Sequence, residues 1–343
     1  MSDLKVLQLG SPEAQAELIG GYRPVVNKRT GQMMLPLANG LMVNSSLRKE
    51  EWEELDRAVL AEAVKPLTVT ATLMRLGLTK RLGSIGTLSA QYTRSGEMTA
   101  ANRSLTGTTL GDKDLPDTGV AGVPVPVIFK EFEIPARVLA ASRRMGDGLD
   151  LSAATAAARV VGESIEDLVI NGDTTINLNG SSIAGLTTHA SLNPEITAAD
   201  YGGGDWGTIT NVQATISGMI AAAEGNNYFG PYGLFVSTTQ YGQAARAFFT
   251  DGSGDTPLSR ALRIPGLQFI EAAHNLSDGV VVLVNLSRDV IELAYVDEYW
   301  PMTNREWASG DGMVTHYKIM SVVTPIVKAT YGGKRGIVHA TGA

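Results

Sequence analysis

From Gly83 to Val127 the chain reads GSIGTLSAQYTRSGEMTAANRSLTGTTLGDKDLPDTGVAGVPVPV, rich in Gly, Ser and Thr, poor in large apolar side chains and rimmed by Pro116, Pro124 and Pro126. A stretch of this composition has too few apolar groups to build a core of its own. Roughly 45 residues without independent structure are also uncommon inside a compact domain. The expected resolution is a long two-stranded ribbon that lies on another subunit. Val127 to Val138, VIFKEFEIPARV, alternates closely enough at Ile128, Lys130, Phe132, Glu133 and Ile134 to serve as its returning strand.

A body for the ribbon is read from Asp147 to Gly172, DGLDLSAATAAARVVGESIEDLVING. Ala154, Ala158, Val161, Ile165 and Leu168 recur at steps of four and three, which lines them on one face of a helix expected over 150–171. Asp150 or Ser152 is placed to take orphan amides at its start, and Asn171-Gly172 tolerates the left-handed geometry of a helix end. The small residues Ala154, Ala157 and Ala158 let a neighbouring surface approach closely, whereas Glu163, Glu166 and Asp167 must find water or partners.

Ahead of the ribbon, Met1 to Ser46 holds no periodicity beyond a brief helical possibility around Ser11 to Ile19, and reads as an extended arm that borrows its order from neighbours. Ser45 or Ser46 is placed to cap an amphipathic helix marked by Leu47, Trp52, Leu55, Val59 and Ala63 and ending near Pro66. Leu67 to Leu78 alternates Thr with apolar residues, as a strand does. After the long helix, Asn177 to Asp205 reads as loop and linker. Trp206 to Glu224 predicts a helix with Ile209, Val212, Ile216, Met219 and Ile220 on one face. Strands are expected at 231–237, 267–270, 280–286, 290–296 and 314–326, with a helix from Thr238 to Phe248. The strand at 280–286 is apolar on both faces and is therefore expected to be central.

Composition narrows the chemistry. There is no cysteine, so neither disulfides nor thiolate metal sites are available, in keeping with a reducing interior. A net charge of −7 gives the whole surface no electrostatic footprint for gripping nucleic acid. Thirty-eight glycines against 7 Phe and 4 Trp favour loops and strands over a helical bundle. No signal peptide and no apolar run of membrane-spanning length is read, so the protein is expected in the cytosol, without a membrane. His189, His274, His316 and His339 are scattered without metal-ligand spacing. Ser46-Leu47-Arg48-Lys49 matches S-x-x-K but lacks its companion motifs, and Asp251 to Asp255 lacks the glutamate of a calcium loop. No phosphate loop is present, so neither cofactor nor catalytic constellation is expected. Lys80, Arg81, Arg94, Arg103 and Lys113 decorate the ribbon, opposite in sign to Glu50, Glu51, Glu53 and Glu54 on the first helix. This opposition suggests charge pairing between subunits, each exposed pair contributing ~0.2 to 1 kcal/mol.

The order of these parts resembles the superfamily of HK97-like phage capsid proteins and encapsulins. The resemblance rests on LRKEEWEELDRA (Leu47 to Ala58) before a Thr/Val strand, Phe132 to Val138, EDLVINGD (Glu166 to Asp173), AGLTTHASLNP (Ala184 to Pro194), GPYGLFVSTTQYGQ (Gly230 to Gln243) and DVIELAYVDE (Asp289 to Glu298). It implies an α+β fold with an N-terminal arm (1–46), an N-terminal helix (47–66), an extended-loop hairpin (67–135), a peripheral domain with a spine helix (136–207 and 288–343) and an inserted axial domain (208–287). It further implies a non-enzymatic shell protein that assembles with itself into pentamers and hexamers, each extended loop lying over a neighbour. The expected role is the major capsid protein of a tailed phage, found in the virion, assembled in the host bacterial cytoplasm and enclosing double-stranded DNA without reading its sequence. Portal, scaffolding and decoration proteins are the further partners implied, and an encapsulin enclosing a cargo enzyme is the alternative. The chain is longer than typical encapsulins before Leu47 and around Gly96 to Gly122. Some members cross-link Lys to Asn between subunits, and Lys113 and Asn102 are the residues of those types here.

Overall fold

In the computed structural model the described residues are 47–106, 108, 113–145, 150–189, 196–246, 248–249, 254–307, 314–331, 333–334 and 336–343, with the backbone of three short strands ahead of them. Those strands, β1 (Val25–Val26), β2 (Met33–Pro36) and β3 (Met42–Asn44), pair antiparallel in sequence order. The helix expected around Ser11 to Ile19 and the caps expected at Ser45 or Ser46 lie outside the described residues.

Helix α1 (Lys49–Ala63) buries the stripe Trp52, Leu55, Val59 and Ala63, with Leu47 beside it. Its start is closed by the Arg48 N–H, which donates to the Glu51 carboxylate at 2.8 Å. The strand expected from Leu67 to Leu78 is instead helix α2 (Val69–Arg75). The physical reason lies 96 to 98 residues away, where the fully buried Glu166 carboxylate takes the amides that open this helix. Strand propensity loses to a charge that only a helix start can satisfy.

Four strands follow: β4 (Thr79–Leu82), β5 (Ser89–Ser95), β6 (Thr118–Pro124) and β7 (Val127–Pro135). The ribbon's returning strand is β6, not the expected Val127–Val138 stretch. β7 belongs to the body, and its chain turns into helix α3 (Ala136–Met145) where a strand was expected to continue. Helix α4 (Ser152–Asn171) occupies the place of the expected long helix. β8 (Gly172–Leu178) and β9 (Ser181–Ala184) then form a hairpin in what was expected to be loop, turned by Asn179 and Gly180, both at positive φ. That Asn-Gly pair is the favoured two-residue hairpin turn.

Helix α5 (Ile209–Gly225) leads to β10 (Tyr232–Val236), α6 (Thr238–Arg246), α7 (Pro257–Ala261), β11 (Leu267–Ala272) and β12 (Val281–Asn285). β13 (Ile291–Val296), β14 (Thr303–Trp307), β15 (Val314–Val327) and β16 (Ile337–Ala340) complete the chain. β15, 14 residues long, organises the larger sheet. It pairs with β7 from Val314↔Pro135 to Val322↔Val127, with β14, and with β13, which holds β4 parallel at the edge. Helices α1 and α4 pack against this sheet, with Trp52 edge-on to Tyr317 at 5.8 Å and Phe132 stacked on the same ring at 5.3 Å. The smaller sheet runs β11-β10-β12-β16, so the fully apolar β12 is interior as expected. β16 was expected with the peripheral part of the chain but is the last strand of this sheet, its Val338 and Ala340 sharing a core with the apolar residues of α5.

Candidate functional site

The end of α4 explains residue by residue why the EDLVINGD and AGLTTHA stretches carry the fold. Glu166 Oε1 accepts from Thr68 N, Thr68 Oγ1 and Val69 N at 3.1, 2.7 and 2.6 Å, and Oε2 accepts from Thr70 N and Oγ1 at 3.2 and 2.6 Å. Six residues later Gly172 closes the helix at φ +68°. The freed carbonyls are then taken by a single segment: Leu186 N donates to Val169 O, Thr187 N and Oγ1 to Ile170 O, and Thr188 Oγ1 to Asn171 O. This requires backbone to lie on backbone, because a Cβ at Gly185 would stand 2.3 Å from Gly172 N and 2.5 Å from Ile170 O. Gly185→Ala is therefore expected to lower the denaturation midpoint of the unassembled chain by about 3 kcal/mol equivalent. A midpoint shift below ~1 kcal/mol would show that this approach can relax.

Ala154, Ala158, Val161 and Ile165 are each 1 % exposed or less and share the main core with α1 and β15. Leu168, on the same expected stripe, faces elsewhere and packs with Ala90, Val123 and Ile183 beneath the base of the ribbon. The ribbon is antiparallel from Ser89↔Pro124 to Ser95↔Thr118 and continues through Gly96 N to Asp117 O at 2.7 Å. Ala90, Ala121 and Val123 are buried against this chain's own body. Tyr331 N donates to Ser95 O, and Lys334 pairs with Glu97 at 2.9 Å. The expectation that the ribbon rests wholly on another subunit is thus corrected for its base. Beyond Gly96 the picture reverses: Met98, Leu105 and Leu115 are 59, 106 and 88 % exposed.

The charged residues expected at subunit contacts divide in the same way. Arg94, Arg103 and Lys113 are exposed on the ribbon and its tip, and Glu50, Glu53 and Glu54 are exposed on α1. Lys80 donates to Gln91 O at 2.6 Å, Arg81 lies 3.5 Å from Asp297, and Glu53 lies 3.5 Å from Lys49. Glu51 is committed within the chain, accepting two hydrogen bonds from the Arg143 guanidinium at 2.6 and 2.8 Å. The Arg143 hydrogen bond, foremost, holds the Glu51 carboxyl below the usual glutamate range. A lowered folded-state pKa stabilises above the unfolded pKa and loses that contribution as pH falls through the folded value. Glu51→Gln is accordingly expected to cost about 1 kcal/mol at neutral pH, the gap in urea midpoint closing as pH falls through the lowered folded-state value of Glu51. A gap that does not narrow with falling pH would count against the ion pair as its cause.

No group of three His, Cys, Asp or Glu side chains able to hold a metal is found among the described residues. His189 and His339 are buried, His274 is exposed, and His316 lies 3.4 Å from Glu133. Ser46 and Asp251 lie outside the described residues, while the Asp255 carboxylate is taken by Arg260 and Arg263 at 3.4 and 2.9 Å. No helix among the described residues is long and apolar enough to cross a membrane.

The chain folds in the same way as several solved shells. A virus-like particle from Pyrococcus furiosus superposes with a TM-score of 0.58 at 15 % identity, over 85 % of this chain and 99 % of that one. The capsid of Myoviridae phage XM1 gives 0.56 at 16 % identity, over 79 % and 92 %. The capsid of an empty GTA particle gives 0.54 at 13 % identity, over 81 % and 91 %. Among curated proteins, the type 1 encapsulin shell protein EncA of Myxococcus xanthus (strain DK1622) is 25 % identical over 173 residues. That alignment takes in 50 % of this chain and 54 % of EncA, so the chain spans about half the length of the curated relative it matches. The fold is the α+β, HK97-like fold of capsid and encapsulin shells, as the sequence resemblance implied. Residues 41–340 match a family of unknown function, DUF6260, and the chain belongs to that family.

Proposed function

We propose that this chain is a self-assembling shell subunit, the major capsid protein of a tailed double-stranded DNA phage, forming pentamers and hexamers of an icosahedral container. The observation that carries the reading is the ribbon tip. On a body of HK97-like fold, Leu105 and Leu115 are 106 and 88 % exposed among the described residues. Single exposed apolar residues are ordinary, but two leucines at this exposure on one protruding loop are what a contact between copies requires. Its mechanism is geometric and not enzymatic: many weak contacts sum to a stable container. In domain terms, 1–46 is the arm, 47–66 the first helix, 67–135 the extended loop, 136–207 with 288–343 the peripheral domain and 208–287 the axial domain, β16 returning to complete the axial sheet.

Electron microscopy of the expressed chain, followed by analysis of the particle contents, tests this. Closed particles holding nuclease-protected DNA in the host that makes them are expected. A monodisperse monomer at high concentration would overturn the reading. The similarity to EncA favours a second one, an encapsulin enclosing a cargo enzyme, for which the contents would be protein. Portal, scaffolding and decoration proteins are further partners of the phage reading.

A further inference from the structure

The last strand stitches two cores together, because its side chains alternate between them. β16 begins in the main core with Ile337 and places Val338 and Ala340 in the core beneath α5. His339 stands opposite Val282 of β12, so it points to the same face as Ile337, Val282 and Val284, the face that belongs to the main core. It is 6 % exposed, and its Nδ1 is buried without a hydrogen-bond partner among the described residues. Burial holds the imidazole below its usual pKa. On this face β12 presents Val282 and Val284 and β10 presents Phe235, while Glu271, on the far edge strand β11, is taken by Thr72 and Arg75. α5 covers the opposite face, and its one charged residue, Glu224, is exposed. On the flanking segments, Asp200 is bound to Thr197 and Asp278 to Thr239.

A proton on such a histidine would place a positive charge in an apolar seam with nothing to offset it, so that protonation and burial exclude one another. The strand that carries it is also the one most easily moved. β16 is the edge of its sheet, paired along one side with β12, and beyond its end Thr341 bonds to Ile196 and Ala198. Peeling β16 back lets water reach His339 and leaves β10 and β11 paired as before. We propose that β16 is an acid-released latch: uptake of a proton by His339 frees this strand from β12 and opens the seam between the two cores. The latch belongs to the single chain and stands or falls independently of the shell reading.

Above about pH 6.5 this histidine is neutral in the folded and the unfolded chain alike, and its contribution to stability is fully present. Below that, the unfolded chain takes up a proton that the latched fold refuses, so stability falls until the lowered folded-state value is reached. The full, unassembled chain and His339→Leu are unfolded in urea at about pH 7 and about pH 5, on either side of the ordinary histidine value. The difference in folding constant is expected to widen in favour of His339→Leu by up to about tenfold per pH unit below that value. Amide exchange, corrected for intrinsic rate, locates the change: on acidification the protection of β16 should fall while that of β15 holds, and in His339→Leu both should hold. Should His339→Leu not fold, His339→Gln, which stays polar and cannot become charged, gives the same comparison. A difference equal at both pH values, or protection of β16 that falls alike in both proteins, overturns the latch.

Discussion

Replacing Glu166 by glutamine is expected to destabilise the unassembled chain by about 3 to 5 kcal/mol, read as a lowered midpoint in urea. The carboxylate is fully buried and is surrounded only by donors, five of them from Thr68, Val69 and Thr70. Glutamine keeps the shape but has one accepting oxygen, and its amide would point N–H groups at the N–H and O–H of Thr70. Donors left unpaired in a buried site cost their full desolvation. Hydrogen bonds to a charged group are also the strong class, so little is recovered by neutral substitution. Thr70→Val removes one donor and keeps the charge, and should cost only about 1 to 2 kcal/mol. Should glutamine prove as mild as that, Glu166 would not be what holds α2 to α4.

The same carboxylate marks where the sequence was readable and where it was not. The stripes of α1 and α4 were legible because they are local: a helix that buries Trp52, Leu55, Val59 and Ala63 must repeat them at its own period. The helical state of Val69–Arg75 was not, because those residues favour strands and the group that overrides them is nearly a hundred positions away. Glu166 was recognisable as a charge in need of a partner, and nothing local named the partner. The β8–β9 hairpin is a different kind of miss. Its turn signal, Asn179-Gly180, was present, but β9 is only four residues long and β8 carries four consecutive exposed residues, so neither shows the alternation that identifies a strand.

Among the charged residues, opposition of sign was visible but pairing was not. Glu51 looked like its neighbours Glu50 and Glu53 until α3 brought Arg143 beside it, and α3 follows directly on a strand that was expected to run further. The ribbon shows the same division between local and distant information. Its poverty in large apolar groups was evident, and it made the tip readable as an outward-reaching segment. The seating of its base came from Ala90 and Val123, which carry no pattern until Leu168 and Ile183 are placed beneath them.

Excising the tip should separate folding from assembly. Gly96 N already donates to Asp117 O, so replacing residues 97–116 by Asn-Gly leaves a hairpin closed by an existing hydrogen bond and a favoured turn. The excision removes the exposed Lys334–Glu97 pair, about 0.2 to 1 kcal/mol, so the thermal midpoint of the body should move by no more than a few degrees. Assembly should suffer far more. Burying one leucine is worth roughly 1.5 to 3 kcal/mol, so losing Leu105 and Leu115 together removes about 3 to 6 kcal/mol from each contact the tip makes. At about 1.4 kcal/mol per tenfold, the concentration needed to form particles rises at least a hundredfold, and light scattering of the shortened chain should stay at the level of dispersed subunits. Particles forming from it at the concentration that suffices for the full chain would mean that the copies are held by other surfaces, and that the exposed leucines of the tip are incidental.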